Sequence, residues 1–370
     1  MSPKTVKVNQ TLAATHNRRL SLRLLVRHGS LSRKQIADMT GMHGSTLSNI
    51  MAEFLERGIV REIGKRESST VGKKQTLVEI NPKFGWVLGV GIHENEADHI
   101  VMNARGDVVG SYVGTLDPGL TNLGSLLKSV VNHNRGTAGP LLRLGIGIPG
   151  IIDSQRGFVV RSEWLDLTGY PLAHEMTEHF NVPMDIDNDV RVSTKAEALL
   201  SQADSRANFL YFHSNFVKQD GTYSLSGFGL GMYLDGQVYH GEHFGAGELA
   251  GPVLPEPFPG LTEEDMQLIG TPDGHVTPTL MRLPEWLAQR LVPLVTLLDP
   301  SEVVVGGNVN WQNERLITMM GKAIADAKGS FTTQFVRVRA TRIPTHRVAF
   351  GAALTAVYDA LLGLYPEEMG

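Results

Sequence analysis

Ser45, Thr46, Ser48 and Asn49 are small hydrogen-bonding side chains that fall within one short stretch of the chain. Hydroxyl and amide groups of this kind can bond to base edges and to phosphate oxygens. Leu47 lies between them and must point the other way, into a core. The spacing predicts a helix with one polar face that can enter a major groove of DNA.

Basic side chains accompany this polar face. Arg33 and Lys34 precede it, and a polar loop after it carries Lys73 and Lys74. We expect all of them to contact backbone phosphate. Residues 1–80 contain 14 Lys+Arg and 6 Asp+Glu, whereas the other 290 residues contain 20 and 32. A polyanion-facing segment on an acidic body is the favoured interpretation, and a merely solvated charged face is the alternative.

A helix-turn-helix is the arrangement that must position these groups. Leucines at helical spacing predict a supporting helix over residues 17–27. Ser32 and Gln35 have the form of a capping box, which starts a second helix that runs to about Thr40. Gly41 supplies the turn residue that favours a left-handed conformation.

The groove-facing helix is predicted over Ser45–Arg57 and ends at Gly58. Short strands at 59–63 and 76–80 then flank the basic loop, so this hairpin is interpreted as a wing. Contacts between two helices that cross at a tight turn are expected at Ala37, Gly41, Leu47 and Ile50.

Composition limits the chemistry of the remaining chain. With 42% hydrophobic and 19% charged residues, the protein has the composition of a globular chain with a large core. Cysteine is absent, which excludes disulfides, thiolate nucleophiles and Cys-based zinc sites. Four histidines, at 93, 99, 240 and 243, lack the spacing of metal ligands, so no metal is predicted. No long apolar run or signal sequence is evident, and a cytoplasmic location is expected.

From Trp86 onward, apolar runs that end in Gly, Asp or Asn alternate with helical segments, which predicts two α/β lobes around a cleft. The predicted strands include 86–92, 142–153, 182–189 and 301–311, with a hairpin turn at Asp235-Gly236 and a closing helix over 348–365. Asn188 and Asp189 end one of these strands. A carboxylate there can accept hydrogen bonds from a bound hydroxyl compound or cap the next helix.

Several ordered motifs in this body resemble those of the ROK family, which groups bacterial sugar-responsive repressors and sugar kinases. They read IGIPGIID, DNDVRVSTKAEA, GFGLGMYLDG, GAGELAG, DPSEVVVGGNV and AFGAAL. The resemblance implies an α/β fold with an N-terminal winged helix-turn-helix followed by a two-lobed actin-like, hexokinase-type domain. The expected divisions are 1–81 for the head, 82–190 for lobe 1 with the helix 346–370 returning to it, and 191–345 for lobe 2.

The resemblance also assigns expected roles to residues. Asn188-Asp189 matches the pair in which the family's kinases use the Asp as general base, so sugar binding, helix capping and proton abstraction are the three readings of Asp189. Glu248 matches a Glu that contacts sugar hydroxyls, and a structural role at a helix start is the alternative. We expect Asn188, Asp189 and Glu248 to bind the ligand.

Two departures from the family pattern argue against catalysis. The kinases have Asp-x-Gly-x-Thr in their first phosphate loop, whereas this chain has Gly91-Ile92-His93-Glu94-Asn95. Added bulk and negative charge, without the Asp that positions magnesium, predict that the chain transfers no phosphoryl group and is not an enzyme. The family's zinc-binding His is replaced by Gly251, so no metal or other cofactor is predicted.

These observations together predict a transcriptional regulator, a repressor in type, that binds operator DNA. The catalytically inactive body is expected to form a homodimer or higher homo-oligomer and to sense a sugar or sugar-derived effector, without a membrane partner. The alternatives are an active sugar kinase that uses ATP, and a dimeric DNA-binding protein that has no ligand.

Overall fold

The N-terminal part of the chain folds as a winged helix-turn-helix. The computed structural model describes residues 10–66, 75–201, 207–249, 258–328, 336–344 and 347–366. The head consists of α1 Gln10–His28, β1 Leu31–Ser32, α2 Arg33–Thr40, α3 Gly44–Glu56, β2 Val60–Arg66 and β3 Gln75–Ile80. Its strands pair antiparallel in the order β1-β3-β2. The predicted helices and hairpin are therefore confirmed, with α1 starting earlier than expected.

Local signals set the ends of α2. The Ser32 hydroxyl accepts a hydrogen bond from the Gln35 amide at 3.2 Å, and the Gln35 side chain accepts one from the Ser32 amide at 2.9 Å. This is the predicted capping box. Gly41 takes a φ of 70°, and its amide donates to the Ala37 carbonyl at 2.8 Å. The turn therefore directs α3 across α2 as the sequence predicts.

The body contains a five-stranded sheet in the order β11-β7-β4-β5-β6. Its segment of the chain runs β4 Trp86–Ile92, β5 Glu96–Asn103, β6 Val108–Thr115, α4 Leu123–His133, β7 Leu141–Ile148, β8 Ile151–Asp153, β9 Phe158–Ser162, β10 Leu167–Tyr170, α5 Leu172–Thr177 and β11 Met184–Asn188. Strands β4, β7 and β11 are parallel, and β5 and β6 complete the sheet antiparallel. Strands β8 to β10 form a separate small sheet.

A second large sheet has the order β14-β13-β12-β16-β17, with β15 paired to β13. The elements of this segment are α6 Asp189–Leu200, β12 Phe209–Gln219, β13 Thr222–Leu234, β14 Gln237–Val238, β15 Phe258–Leu261, α7 Glu263–Ile269, α8 Leu283–Leu298, β16 Glu302–Gly307, α9 Glu314–Lys328, β17 Arg337–Ala340 and α10 Arg347–Gly363. The predicted turn at Asp235-Gly236 joins β13 to β14.

Helix α10 lies directly against the backbone of the first sheet. A Cβ atom added to Gly89 on β4 would fall 2.2 Å from the Ala349 carbonyl oxygen, and one on Gly145 of β7 would fall 2.3 Å from that of Ala352. Any side chain at these two glycines would therefore separate the helix from the sheet. In the part of the chain that the structure describes, no helix combines the length and apolar character needed to cross a membrane.

A buried charge network locks α6 to the second sheet. Glu197 is 0% exposed, and its carboxylate accepts hydrogen bonds from the Arg339 guanidinium at 2.6 Å, the Thr341 hydroxyl at 2.7 Å and the Arg342 amide at 2.9 Å. Arg339 also donates to Glu302 at 2.8 Å. The buried carboxylate of Glu197 is thus paired with a cation and two further donors.

Candidate functional site

The outer face of α3 presents the residues that the sequence selected for DNA contact. Ser45, Thr46, Ser48 and Asn49 are all exposed, whereas Leu47 is 1% exposed and packs in the head's core. Unlike these residues, His43 was not selected from the sequence. It is the N-cap of α3, and its Nδ1 lies 2.8 Å from the Ser45 hydroxyl. N-caps are usually short side chains such as Ser, Thr, Asp or Asn, so the sequence did not indicate that the imidazole of His43 caps this helix.

The predicted phosphate contacts differ in their surroundings. Lys34 is exposed on α2. Arg33 is half-buried and its guanidinium donates to Glu62 on β2 at 3.1 Å, so it also braces the wing against α2. Lys73 and Lys74 lie outside the described residues. Of the predicted phosphate-contacting residues that the structure describes, Lys34 is therefore the exposed one.

Asn188 holds the start of α6 through its side-chain amide. Its Oδ1 accepts hydrogen bonds from the amides of Val190 at 2.9 Å and Arg191 at 3.1 Å, which caps the helix. Its Nδ2 donates to the Gly150 carbonyl at 3.0 Å and to the Glu248 carboxylate at 3.3 Å. Two of the predicted ligand residues, Asn188 and Glu248, are therefore in contact.

Asp189, the next residue, is half-buried at the first position of α6. Burial, followed by repulsion from Asp189, raises the pKa of Glu248. The Asp98 hydrogen bond raises the pKa of His93 more than burial lowers it, and Asp189 adds to the rise. Burial lowers the pKa of His213 on β12, while the charge of Asp189 opposes that shift. The charge of Asp189 thus acts on three groups: Glu248, His93 next to the first large sheet, and His213 in the second.

The backbone around Gly247 fixes the position of Glu248. Gly247 has a φ of +90°, and a Cβ there would fall 1.8 Å from the Leu230 carbonyl oxygen. The Leu230 amide donates to the Gly247 carbonyl at 3.0 Å, and Glu248 forms an isolated antiparallel bridge with Gly229. The segment before Ala250 is therefore pinned to β13, and only glycine fits at position 247.

Arg191, on α6 close to Asn188 and Asp189, links three segments of the chain. The sequence did not indicate this role. Arg191 is 3% exposed and donates to Asp187 at 2.7 Å, to the Phe244 carbonyl at 2.9 Å and to the Ile152 carbonyl at 2.7 Å. A cavity of about 200 Å³ borders it; its lining includes Asp185, Asp187, Lys195, His240 and Asp359. The position of Arg191 two residues after Asp189 was the only available signal, and it does not by itself indicate burial.

The turn between β9 and β10 borders the Asn188–Glu248 contact. A Cβ on Gly150 would fall 2.4 Å from the Arg161 carbonyl oxygen, so this segment packs on the residue that Asn188 contacts. The charge of Glu163 adds to the raised pKa of Glu248, after burial and Asp189. Trp164 follows and is 52% exposed. An exposed indole therefore belongs to the segment that flanks the predicted ligand residues.

The stretch Gly91 to Asn95 forms the end of β4 and a tight turn into β5. The His93 amide donates to the Glu96 carbonyl at 2.8 Å, and the His93 ring lies 3.1 Å from the Asp98 carboxylate. Glu94, Asn95 and Glu96 are exposed. The His93 amide is thus used within the hairpin, and the turn presents carboxylates to solvent.

Comparison with known proteins identifies similar sequences and structures. The sequence model of the ROK family matches residues 115–257. This part of the chain is similar to the ROK family. The chain is 25% identical to the xylose repressor of Bacillus spizizenii over 250 residues, which are 65% of this chain and 61% of that protein. It is 23% identical to the glucokinase of Halalkalibacterium halodurans over 178 residues, 46% of this chain and 51% of that one. The chain therefore spans about 61% of the length of the first repressor it matches.

Solved structures establish the fold of the chain. A ROK family transcriptional regulator, a homologue of the E. coli Mlc protein, matches with a TM-score of 0.71 and 19% identity over 96% of this chain and 99% of the other. A ROK glucokinase from Streptomyces griseus, solved with glucose and AMPPNP, matches with a TM-score of 0.58 and 18% identity over 74% of this chain and 99% of that one. The predicted combination of a winged head with a hexokinase-type body is thereby confirmed.

Proposed function

We propose that this chain is a transcriptional regulator of the repressor type, whose ROK body senses a sugar or sugar-derived effector without phosphorylating it. The observation that carries the proposal is the exposed polar face of α3, beside a wing and in the same chain as a ROK domain. The xylose repressors and the ROK regulator among its relatives support this function.

Operator recognition by this head requires two copies. One α3 helix exposes Ser45, Thr46, Ser48 and Asn49, which can read only a few base pairs. A homodimer with two heads on a two-fold axis would read half-sites about one helical turn apart. Dimerisation through the body therefore supplies the specificity that a single head lacks, and a cytoplasmic protein that reaches the chromosome is the consistent setting.

The proposed effector site lies around Asn188, Asp189 and Glu248. Carboxylates that are exposed or half-buried beside one another are good acceptors for the hydroxyls of a sugar. The glucokinase relative that was solved with glucose supports a carbohydrate as the class of ligand. A sugar that binds one arrangement of the body more tightly than another would change the placement of the two heads.

The turn at His93 supports the absence of phosphoryl transfer. Its amide is bonded within the hairpin, and Glu94 and Glu96 would repel a triphosphate. We expect the purified protein to release no sugar-dependent ADP from ATP in a coupled assay across pentoses, hexoses and amino sugars. Turnover that is lost in Asp189→Asn would instead establish the kinase alternative. No cofactor is required by the proposed function.

The DNA-binding part of the proposal predicts different effects for two exposed residues of the head. Asn49→Ala removes a group that can contact a base edge, so affinity for the preferred duplex should fall by about 1–3 kcal/mol with altered preference at one base pair. Lys34→Ala removes a phosphate contact, so all duplexes should weaken alike and the slope of log K against log salt should decrease by about 1. Fluorescence anisotropy at several salt concentrations measures both quantities.

Equal changes in base preference in the two variants would contradict this division of roles. The sequence-based pair Lys73→Ala with Lys74→Ala should also weaken all duplexes alike, with a decrease of about 2 in the salt slope because two charges are removed. A wild-type protein that binds no duplex from its own promoter region would contradict the proposed function as a whole. A ligand-independent regulator would bind DNA but gain no thermal stability from any sugar, sugar acid or sugar phosphate.

A further inference from the structure

Tyr365, which follows the C-terminal end of α10, contacts α3, the helix predicted to face the groove. The Tyr365 hydroxyl donates to the Glu53 carboxylate at 2.6 Å and accepts from the Arg57 guanidinium at 2.5 Å. The Tyr365 ring also packs against Phe54, with ring centroids 5.7 Å apart. Glu53 and Phe54 belong to α3 and Arg57 is its C-cap, so a residue of the body holds the last turn of this helix.

Two arginines of α1 complete the contact. Arg18 donates to Glu53 at 2.9 Å, and its guanidinium carbon lies 5.5 Å from the centroid of the Tyr365 ring. The Arg19 guanidinium donates to the carbonyls of Leu362 at 3.2 Å and Tyr365 at 3.1 Å. Positive charge is thereby placed at the carbonyl end of α10, where it interacts favourably with the helix dipole.

The charge states of these groups keep the contact intact near neutral pH. Burial, reinforced by the Glu53 carboxylate, raises the pKa of Tyr365 to about 12, so its hydroxyl keeps its proton. Burial also acts to raise the pKa of Glu53, but hydrogen bonds from Arg18, Tyr365 and Arg57 outweigh it and hold that pKa below its ordinary value. The Tyr365 hydroxyl therefore remains a donor and the Glu53 carboxylate remains an acceptor in their hydrogen bond.

Helix α10 itself is fixed to the body along its length. The close approach at Gly89 and Gly145 holds α10 against the first sheet. Asp359 on α10 accepts a hydrogen bond from Lys195 of α6 at 2.5 Å, and α6 begins at the predicted ligand residues. The head is therefore seated on a helix that also packs against α6.

We propose that Tyr365 is a positioning residue that fixes the angle of α3 relative to the body and thereby sets which spacing of DNA half-sites a dimer accepts. The inference rests on the proposed function, because it requires two heads on one operator. One added base pair moves a half-site by about 3.4 Å along the DNA axis and rotates it about that axis. A rigidly seated pair of heads must reject such a change, whereas loosely seated heads can follow it.

The test is Tyr365→Phe in the full-length protein, which removes the hydroxyl bonded to Glu53 and Arg57 and keeps the ring. Duplexes are first selected by the wild-type protein from a random pool, and the spacing of the half-sites is then varied one base pair at a time. Wild-type affinity, measured by anisotropy, should fall about tenfold for one base pair added or removed, comparable to the loss of one good base contact. The affinity of Tyr365→Phe should change by about twofold or less over the same series.

A matched control and a second measurement separate positioning from folding. Tyr358→Phe makes the same change on α10, at a hydroxyl without a hydrogen bond to the described residues, and should keep the wild-type spacing preference. Affinity for a duplex with a single half-site should be equal in all three proteins. A wild-type spacing preference in Tyr365→Phe, or a lower single-site affinity in that variant alone, would overturn the inference while leaving the proposed function intact. Failure of the wild-type protein to select any duplex would overturn both.

Discussion

Arg339→Met is expected to lower the free energy of unfolding by about 3–5 kcal/mol, because it leaves a buried carboxylate without its cation. Glu197 is 0% exposed, and the Arg339 side chain is 11% exposed. After the substitution, Glu197 would keep only the Thr341 hydroxyl and the Arg342 amide as donors. Chemical denaturation followed by circular dichroism measures the loss.

Arg337→Met is the matched control, since it makes the same change two residues earlier on β17. Its side chain is 70% exposed and lies 3.6 Å from the Glu302 carboxylate, so the variant should lose about 0–1 kcal/mol. Similar losses in both variants would mean that burial of the Glu197–Arg339 pair does not determine its contribution to stability.

Asn188→Ala and Asp189→Asn are expected to separate two roles at the start of α6, helix capping by Asn188 and ligand binding by Asp189. Asn188→Ala removes the helix cap and the bonds to Gly150 and Glu248, so the free energy of unfolding should fall by about 2–3 kcal/mol. Asp189→Asn keeps the shape of the side chain and should cost less than about 1 kcal/mol. The same variant should abolish the rise in melting temperature that the effector sugar produces in the wild-type protein.

Thermal unfolding with and without a panel of neutral and acidic sugars measures both effects. Asn188→Ser is a useful control, because serine is a good N-cap and should recover about 1 kcal/mol of the loss. Full retention of sugar-dependent stabilisation in Asp189→Asn would exclude Asp189 from ligand binding. A large stability loss in that variant would assign the residue a structural role instead.

Much of the head was predictable because its signals are local. Ser32 and Gln35 are three residues apart and form their capping box without help from the rest of the chain. Gly41 takes the left-handed conformation that its place between two helices indicates. The alternation of buried Leu47 with exposed Ser48 and Asn49 follows from helical periodicity alone.

The contacts made by the body were predictable only in part. The end of a buried strand indicated Asn188 and Asp189, but three readings remained open for Asp189, and it is the Asn188 side chain that caps α6 across the helix start. The sequence did not indicate the contacts of Arg191 and Tyr365, because their partners are far away in sequence. Tyr365 contacts Glu53 across 312 positions, and Arg191 contacts Phe244 across 53. Periodicity and spacing describe neighbours along the chain, so such pairings become visible only once the fold is known.

The glycines beneath α10 restrict how this helix can move. Main-chain atoms of Ala349 and Ala352 already occupy the space where side chains of Gly89 and Gly145 would lie. No side-chain layer separates the helix from the strands at these positions, so the helix cannot slide over them. A translation of α10 along its own axis would push neighbouring side chains into the strands. Motion that reaches the head through α10 must therefore be a rigid-body rotation that takes β4 and β7 with it.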